Sequence, residues 1–397
     1  MTSDFIGARV RHWRLKRGLS QKVLGELAGV TQGYISQIES GLKEVDKRST
    51  LVRLAEALQV SGADLTDLAG PEFPERTAAD ATIPAIRAAL NVVRLGDSYE
   101  SSRALPQLRA DVDRLSELRK RGRYDVLGGL LPDLLLDLHG VAGTPHREAD
   151  RREALRLMVR AAYCTTYTLK YLHYSDLAMI AAELCHAAAQ QLDEPVWRGL
   201  SDFTRIHSLP VENKTITRRL AVEAADRLTP YLDDKDAQQA YGMLQLSAAL
   251  TSAVCERDDD ARSQLAEAAE MAERTGEGDF AQMHFGPTNV GFWRAAIAVE
   301  MGEGGRIREI AKDIRPETVD SSTRQAAFFI DVGRALAQTR KHDREAINHL
   351  LRAERLAPQR VRLDASVRDT VGAMLRRAQA RAGGEQLQSL AARVGVV

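Results

Sequence analysis

Two short stretches near the N-terminus carry apolar residues at helical spacing. The residues that would face inward are Leu24, Leu27, Ala28, Ile35 and Ile38. Gly29 lies between the stretches, and a hydroxyl residue, Ser20 or Thr31, precedes each of them. A hydroxyl in that position accepts hydrogen bonds from backbone N–H groups that the first helical turn leaves free. The pattern predicts two amphipathic helices joined by a tight turn.

Further helices flank this pair. Apolar residues such as Ile6 and Val10 recur at helical spacing over residues 4–17 and predict a first helix. Ser49 is expected to cap a fourth helix, and residues 62–68 fit a short fifth one.

Glycine and proline at residues 70–74 end this group of helices. The chain has 397 residues, which is more than one such domain uses. We therefore predict a first domain over residues 1–70, a linker over 71–82, and a second domain over 83–397.

The second domain shows helical patterns separated by short breaks and no convincing strand. The clearest consecutive pairs are 240–253 with 263–272 and 324–339 with 344–358. Helices joined by short connections pack as antiparallel pairs, and a chain of pairs builds a solenoid. The predicted fold class is therefore all-α.

Charge is distributed unevenly although the whole chain is neutral. Residues 1–48 hold nine Lys and Arg against five Asp and Glu, as contact with phosphates requires. Three cysteines far apart in the sequence do not form a disulfide framework and favour a reducing compartment. No uninterrupted apolar run reaches about 18 residues. We expect a cytoplasmic protein without a membrane segment.

The second helix of the N-terminal pair has an unusual outer face. Gln32, Gly33, Ser36 and Gln37 are uncharged, short or hydrogen-bonding, whereas a solvated helix normally carries Lys and Glu. Side-chain amides read base edges bidentately in the DNA major groove. The face therefore predicts a DNA-reading helix.

The same region resembles the lambda-repressor-like, or xenobiotic-response-element (XRE) type, helix-turn-helix. The matching segments are Gly18-Leu19-Ser20-Gln21, Ala28-Gly29-Val30-Thr31, Tyr34-Ile35-Ser36, Glu39, Gly41 and Thr50-Leu51 with Leu54-Ala55-Glu56-Ala57-Leu58. Gly25 departs from the pattern, since alanine is usual there, and is expected to loosen its helix by up to about 1 kcal/mol.

The resemblance implies a five-helix domain that binds double-stranded operator DNA. Base contacts would come from Gln32, Gly33, Ser36 and Gln37. Phosphate contacts would come from Gln21, Thr31, Tyr34 and Lys43, with Gln21 also supporting the reading helix. Arg14 and Glu39 are expected to form a structural ion pair.

Residues 220–382 resemble tetratricopeptide repeats, and residues 83–220 do so weakly. As a whole the chain resembles actinobacterial regulators of this build and, more distantly, peptide-sensing regulators of Gram-positive bacteria. That resemblance implies a homodimer whose tetratricopeptide-like α-solenoid senses a signalling peptide or a small molecule.

Two segments of the second domain are candidates for a ligand site. Tyr167 and Tyr171 lie one helical turn apart, and His284 precedes Asn289 and Trp293 in an irregular segment. An asparagine amide can both donate to and accept from a peptide backbone. The alternatives are ordinary core packing for the tyrosines and a local capped turn for the second segment.

Motifs of enzymes are missing from the sequence: it has neither the phosphate loop nor the zinc-binding spacings. We predict no catalytic residue, metal or cofactor. Two other classes stay open: a DNA-tethered scaffold for a protein partner without a small ligand, and an enzyme-like effector tethered to DNA.

Overall fold

The computed structural model describes residues 5–66, 74–145, 147–379 and 384–396. Helices follow one another throughout these ranges, and no strand occurs in them. The predicted all-α fold class is confirmed.

Five helices form the N-terminal part, residues 5–66, which we call the head. They are α1 (Ile6–Lys16), α2 (Gln21–Ala28), α3 (Gln32–Glu39), α4 (Arg48–Leu58) and α5 (Gly62–Thr66). The Ser20 hydroxyl accepts from the Val23 N–H at 3.2 Å, and the Thr31 hydroxyl accepts from the Tyr34 N–H at 3.1 Å. Gly29 has a φ of 64°, in the left-handed region that glycine adopts without strain. Both predicted caps and the turn are confirmed.

Two predictions for the head are wrong. Leu27 is 60% exposed rather than inward, because α3 crosses α2 on the face formed by Leu24 and Ala28. Ser49 does not cap α4, because the helix already begins at Arg48. Its N-cap residue is Lys47, whose side chain accepts no hydrogen bond from the first turn. The carboxylate that replaces this cap comes from a distant helix and is described below.

The segment predicted as a linker, 71–82, contains a helix of seven residues, α6 (Pro74–Asp80). It packs against the later helix Tyr124–Gly143, with Ala79 fully buried between them. Residues 74–80 therefore pack with the second domain. Residues 67–73, where the fifth helix was predicted to end, lie outside the described residues, and the exact domain boundary stays a prediction.

The remaining helices make up what we call the helical region, residues 74–396. They are α7 (Ile83–Leu95), α8 (Leu105–Lys120), α9 (Tyr124–Gly143), α10 (Glu148–Tyr171), α11 (Ser175–Leu192), α12 (Pro195–Ser208), α13 (Lys214–Leu228), α14 (Lys235–Val254), α15 (Asp258–Thr275), α16 (Pro287–Glu300), α17 (Ile307–Ala311), α18 (Ser322–Ala337), α19 (Asp343–Leu356), α20 (Pro358–Leu363), α21 (Ala365–Gln379) and α22 (Glu385–Arg393).

Alternate helices of this region form an inner layer. Each of α8, α10, α12, α14, α16 and α18 packs against the next one in that series. Their partners α11, α13, α15 and α19 pack against them from the other side, most extensively in the pairs α10–α11, α14–α15 and α18–α19. The two predicted helix pairs are among these, as short connections require.

The layered helices form a superhelix in which α8, the first inner helix, contacts α18, the last one. Lys120 at the end of α8 pairs with Asp320 ahead of α18 at 3.1 Å. The Gln359 side chain in α20 accepts from the Tyr124 N–H at 3.0 Å and donates to Asp125 at 2.7 Å. The inner helices therefore line a common interior, which these contacts close.

One helix among the described residues, α9, is long and apolar enough to cross a membrane by length and composition alone. In the fold it packs against α6, α7, α8 and α10. Its buried Asp137 accepts hydrogen bonds from Ser101 at 2.8 Å and Arg103 at 2.6 Å. No membrane segment is expected from the sequence, and these contacts place one face of α9 in the core of the helical region.

Gly25 provides a test of helix packing in the head. A Cβ atom there would lie 2.8 Å from the backbone carbonyl oxygen of Val30, so Gly25→Ala should destabilise the α2–α3 pair by about 1–3 kcal/mol rather than tighten α2. Hydrogen–deuterium exchange of residues 21–39 in the full chain should become faster. Gly33→Ala, whose Cβ would make only an ordinary contact of 3.9 Å with the Thr31 hydroxyl, is the matched control and should not accelerate exchange. Unchanged protection in Gly25→Ala would contradict this packing.

Candidate functional site

The outer face of α3 is free in the structure. Gln32, Gly33, Ser36 and Gln37 are all exposed, and Ile35 is buried beneath them in the head. The four residues predicted to contact bases therefore lie on one accessible helix face. Helices of this length and exposure fit the major groove of B-DNA.

A buried ion pair fixes the orientation of α3 within the head. Arg14 on α1 donates to both oxygens of Glu39 at the end of α3, at 2.5 and 2.8 Å. This hydrogen bonding raises the pKa of Arg14. Gln21 on α2 also donates to Glu39, at 2.8 Å. The predicted Arg14–Glu39 pair and the supporting role of Gln21 are both observed.

The residues predicted to contact phosphates differ in their accessibility. Thr31 and Lys43 are exposed, and the Lys43 ammonium lies 4.8 Å from the centroid of the Tyr34 ring. The Tyr34 hydroxyl, however, is buried, and burial together with nearby carboxylates raises its pKa. A phosphate contact from that hydroxyl is therefore not available in this structure. The ring instead supports Lys43.

The loop that follows the reading helix is held by the helical region. Arg376 on α21 donates to the Gly41 carbonyl at 2.6 Å. The Val45 N–H donates to Asp369 on α21 at 3.1 Å, while Arg334 on α18 donates to the Val45 carbonyl at 3.4 Å. Because these are backbone contacts, they fix the path of the loop itself.

Glu300, the last residue of α16, supplies the missing cap of α4. One of its oxygens accepts from the Arg48 N–H at 2.9 Å and the other from the Ser49 N–H at 2.8 Å. The carboxylate is almost completely buried. A carboxylate at a helix N-terminus is stabilised by the exposed N–H groups and the helix dipole. The head is thus attached to the helical region through the start of α4.

Two further buried carboxylates lie at this interface. Glu44 accepts a hydrogen bond from the Thr370 hydroxyl, and burial raises the pKa of Glu44 to about 7. Burial likewise raises the pKa of Asp369 to about 6. Burial at the interface therefore favours the protonated, neutral form of both carboxyl groups more than bulk water does.

A cavity of about 590 Å³ lies between the head and the helical region. Val45 and Arg48 line it from the head, and Lys170, Tyr171 and His207 line it from the helical region. This volume is in the range of small-molecule binding pockets. A molecule that filled this cavity would contact both the head and the helical region.

The lining of this cavity includes one of the five residues predicted for a ligand site, and the other four lie outside that lining. Tyr171 lines the cavity, and its ring centroid lies 6.1 Å from that of Tyr167. The Trp293 ring lies 5.6 Å from His207, which also lines the cavity. Asn289 is fully buried one helical turn before Trp293, and its side-chain oxygen accepts from Arg324.

His284 completes the group from the loop before α16. Its Nδ1 lies 2.9 Å from Asp279, and its buried Nε2 has no hydrogen-bond partner among the described residues. Burial lowers the pKa of His284, although Asp279 opposes this shift. Pro287 begins α16, so Asn289 lies in the first turn of that helix.

Sequence reasoning missed the arginines of this interior. The Arg119 guanidinium lies 4.7 Å from the Tyr163 ring centroid, that of Arg324 lies 5.6 Å from the Trp293 centroid, and that of Arg360 lies 4.1 Å from the Tyr171 centroid. In a sequence with 55 Lys and Arg, nothing local distinguishes them from residues of a solvated helix face. Only the superhelix brings them to one place.

The search for metal-binding groups covered the described ranges only. Within them, no three His, Cys, Asp or Glu side chains are grouped so that they could hold a metal ion.

Comparison with known proteins identifies the head alone. A family model described as a helix-turn-helix domain matches residues 6–68. A search of curated proteins and a search of solved structures gave no match. The N-terminal part of the chain is therefore a helix-turn-helix DNA-binding domain, which indicates a transcription regulator.

The Glu300 cap can be tested directly. Glu300→Ala would leave the Arg48 and Ser49 N–H groups without a partner, which should cost about 0.5–2 kcal/mol. Hydrogen–deuterium exchange of residues 44–58 should become faster, because the start of α4 loses its attachment. Glu309→Ala, which removes an exposed carboxylate paired only with Arg306, is the control. Equal protection in both variants would show that the cap does not hold the head.

Proposed function

We propose that the chain is a sequence-specific transcription regulator whose helical region dimerises and senses a peptide or a small molecule in the cytoplasm. The observation that supports this proposal is a combination of two features of the head. Its base-reading face is exposed, while the loop directly behind that face is bound by α16, α18 and α21. A change in those helices would therefore move the reading helix.

Two helices, α16 and α18, connect the interior of the superhelix to the head. Asn289 and Glu300 lie on α16, and Arg324 and Arg334 lie on α18. At about 1.5 Å per residue, each helix spans roughly 15 Å from the interior to the head. A ligand that shifted either helix would alter the contacts with residues 45–49. Such a coupling typically changes DNA affinity by about 1–3 kcal/mol.

The cavity favours a ligand-sensing regulator over the alternative of a DNA-tethered scaffold. A scaffold for a protein partner needs an extended surface, whereas this space is bounded by both parts of the chain. The resemblance of the helical pairs to tetratricopeptide repeats supports the same proposal, since such superhelices bind ligands on their concave side.

Base and phosphate contacts predict different effects on DNA binding. Gln32→Ala should cost about 1–3 kcal/mol on a cognate operator and relax sequence preference, because it removes an amide from the reading face. Lys43→Ala should weaken binding to all sequences similarly and reduce the salt dependence by about one phosphate contact. Mobility-shift titrations at several salt concentrations measure both. If Gln32→Ala keeps its operator affinity, its assignment to base contact is wrong.

Dimerisation predicts the arrangement of operators. A dimer should occupy two half-sites separated by one or more helical turns of DNA, roughly 34–36 Å each. Chromatin precipitation with sequencing would yield the operator and this spacing together. Isolated half-sites without a fixed spacing, together with a monomer in sedimentation analysis, would refute the dimer.

A further inference from the structure

The interior of the superhelix holds two guanidinium groups without a counter-ion. Arg119 donates to the Gln282 side chain at 2.7 and 3.0 Å, and Arg324 donates to Asn289. Both acceptors are neutral amides. Among the described residues, no carboxylate forms an ion pair with either arginine, and the groups that act most strongly on their charges include three tyrosines. Burying a guanidinium cation without a carboxylate counter-ion is energetically costly.

Several polar atoms around these arginines lack hydrogen-bond partners among the described residues. They are Arg324 Nε, Trp293 Nε1 and His284 Nε2, and each is buried. Trp293 and His284 are 6% and 5% exposed, so water from bulk solvent does not solvate them freely. Native interiors satisfy nearly all such groups. All three atoms here would be satisfied by the oxygen atoms of a bound anion or by other hydrogen-bonding atoms of a ligand.

The same place is lined by aromatic rings. Tyr163 and Tyr167 lie 5.0 Å apart between ring centroids, and Tyr167 and Tyr171 lie 6.1 Å apart. The rings of Trp293 and His207 lie 5.6 Å apart between centroids. Tyr171 and His207 also line the cavity of about 590 Å³, so the cluster borders it through these two residues.

We propose that this interior binds a small aromatic acid, that is, a planar ring bearing a carboxylate or a phosphate. The acidic group pairs with Arg324 and Arg119, and the ring lies among Tyr167, Tyr171 and Trp293. Guanidinium groups bind either anion through paired N–H donors. The inference rests on the proposed sensing role of the helical region and names the chemical class of its signal.

The residues that would bind such a ligand share α16 and α18 with residues that contact the head, so the ligand would affect those contacts. Asn289 and Trp293 share α16 with the capping carboxylate Glu300, and Arg324 shares α18 with Arg334. An anion paired with Arg324 would offset the repulsion between Arg324 on α18 and Arg360 on α20, which adds to burial in lowering the pKa of Arg324. The helices α18 and α20 would then pack closer together, and Arg334 would move with α18.

Thermal unfolding of the full chain in the presence of matched probes tests this site. The acidic probes are benzoate, indole-3-acetate and phenyl phosphate, and the neutral counterparts are benzamide and indole-3-acetamide. At millimolar concentrations, at least one acid should raise the unfolding temperature by about 2–4 °C while its amide does not. The carboxylates and phenyl phosphate distinguish the two anions.

Variants of Arg324 show whether the shift comes from this site. Arg324→Gln should abolish the stabilisation by acids, and Arg324→Lys should retain part of it. Arg274→Gln, which removes an exposed arginine at the end of α15, should behave as the parent. Without any probe, Arg324→Gln should unfold at the same or a higher temperature, because it removes a buried charge while an amide can still donate to Asn289.

Clear outcomes overturn the proposal. They are an equal response to acids and amides, no response to any acid, or an acid response that survives in Arg324→Gln. A lower unfolding temperature of probe-free Arg324→Gln would assign the arginine a structural role instead. These results leave DNA binding untouched, since mobility shifts of the probe-free protein test the head separately.

Discussion

A carboxylate from the second half of the chain caps a helix near the N-terminus. Glu300 binds the first two N–H groups of α4, which its own N-cap residue leaves without a side-chain partner. A helix start buried without such a partner is unfavourable, so the head and the helical region are energetically dependent on one another at this point. The remaining interface contacts, from Arg334, Asp369 and Arg376, extend this attachment along the same loop.

This attachment has a specific geometric consequence, because the loop it fixes directly follows the reading helix. The Arg14–Glu39 pair holds the other side of the α3 C-terminus to α1, while Gln21 connects it to α2. The end of α3 is therefore held between the core of the head and the helical region. Its exposed face, at Gln32 and Gly33, points away from both. The regulation that we propose depends on this arrangement, in which the surface offered to DNA is accessible and its support belongs to another part of the chain.

The interior of the superhelix differs in character from the interface. At the interface, arginines meet carboxylates and backbone carbonyls, as in a stable contact between two structural units. In the interior, Arg119 and Arg324 meet neutral amides and aromatic rings. The difference between the two places lies in the charge of the acceptors, since the arginines of the interior lack the carboxylates that the interface provides among the described residues. This difference supports the binding role that we propose for the interior.

The sequence by itself determined the features that depend on neighbouring residues. Hydroxyl caps at Ser20 and Thr31, the turn at Gly29 and the exposed face of α3 all follow from spacing within one or two helical turns. The all-α fold and the main helix pairs follow from periodicity and short connections for the same reason. Contacts between distant residues were decided only by the tertiary structure. Glu300 caps a helix 252 residues away, Leu27 is exposed because α3 crosses elsewhere, and the arginines converge only when the superhelix closes. A lone charged residue has no local pattern that reveals its partner, so only the packing of the whole chain could show these contacts.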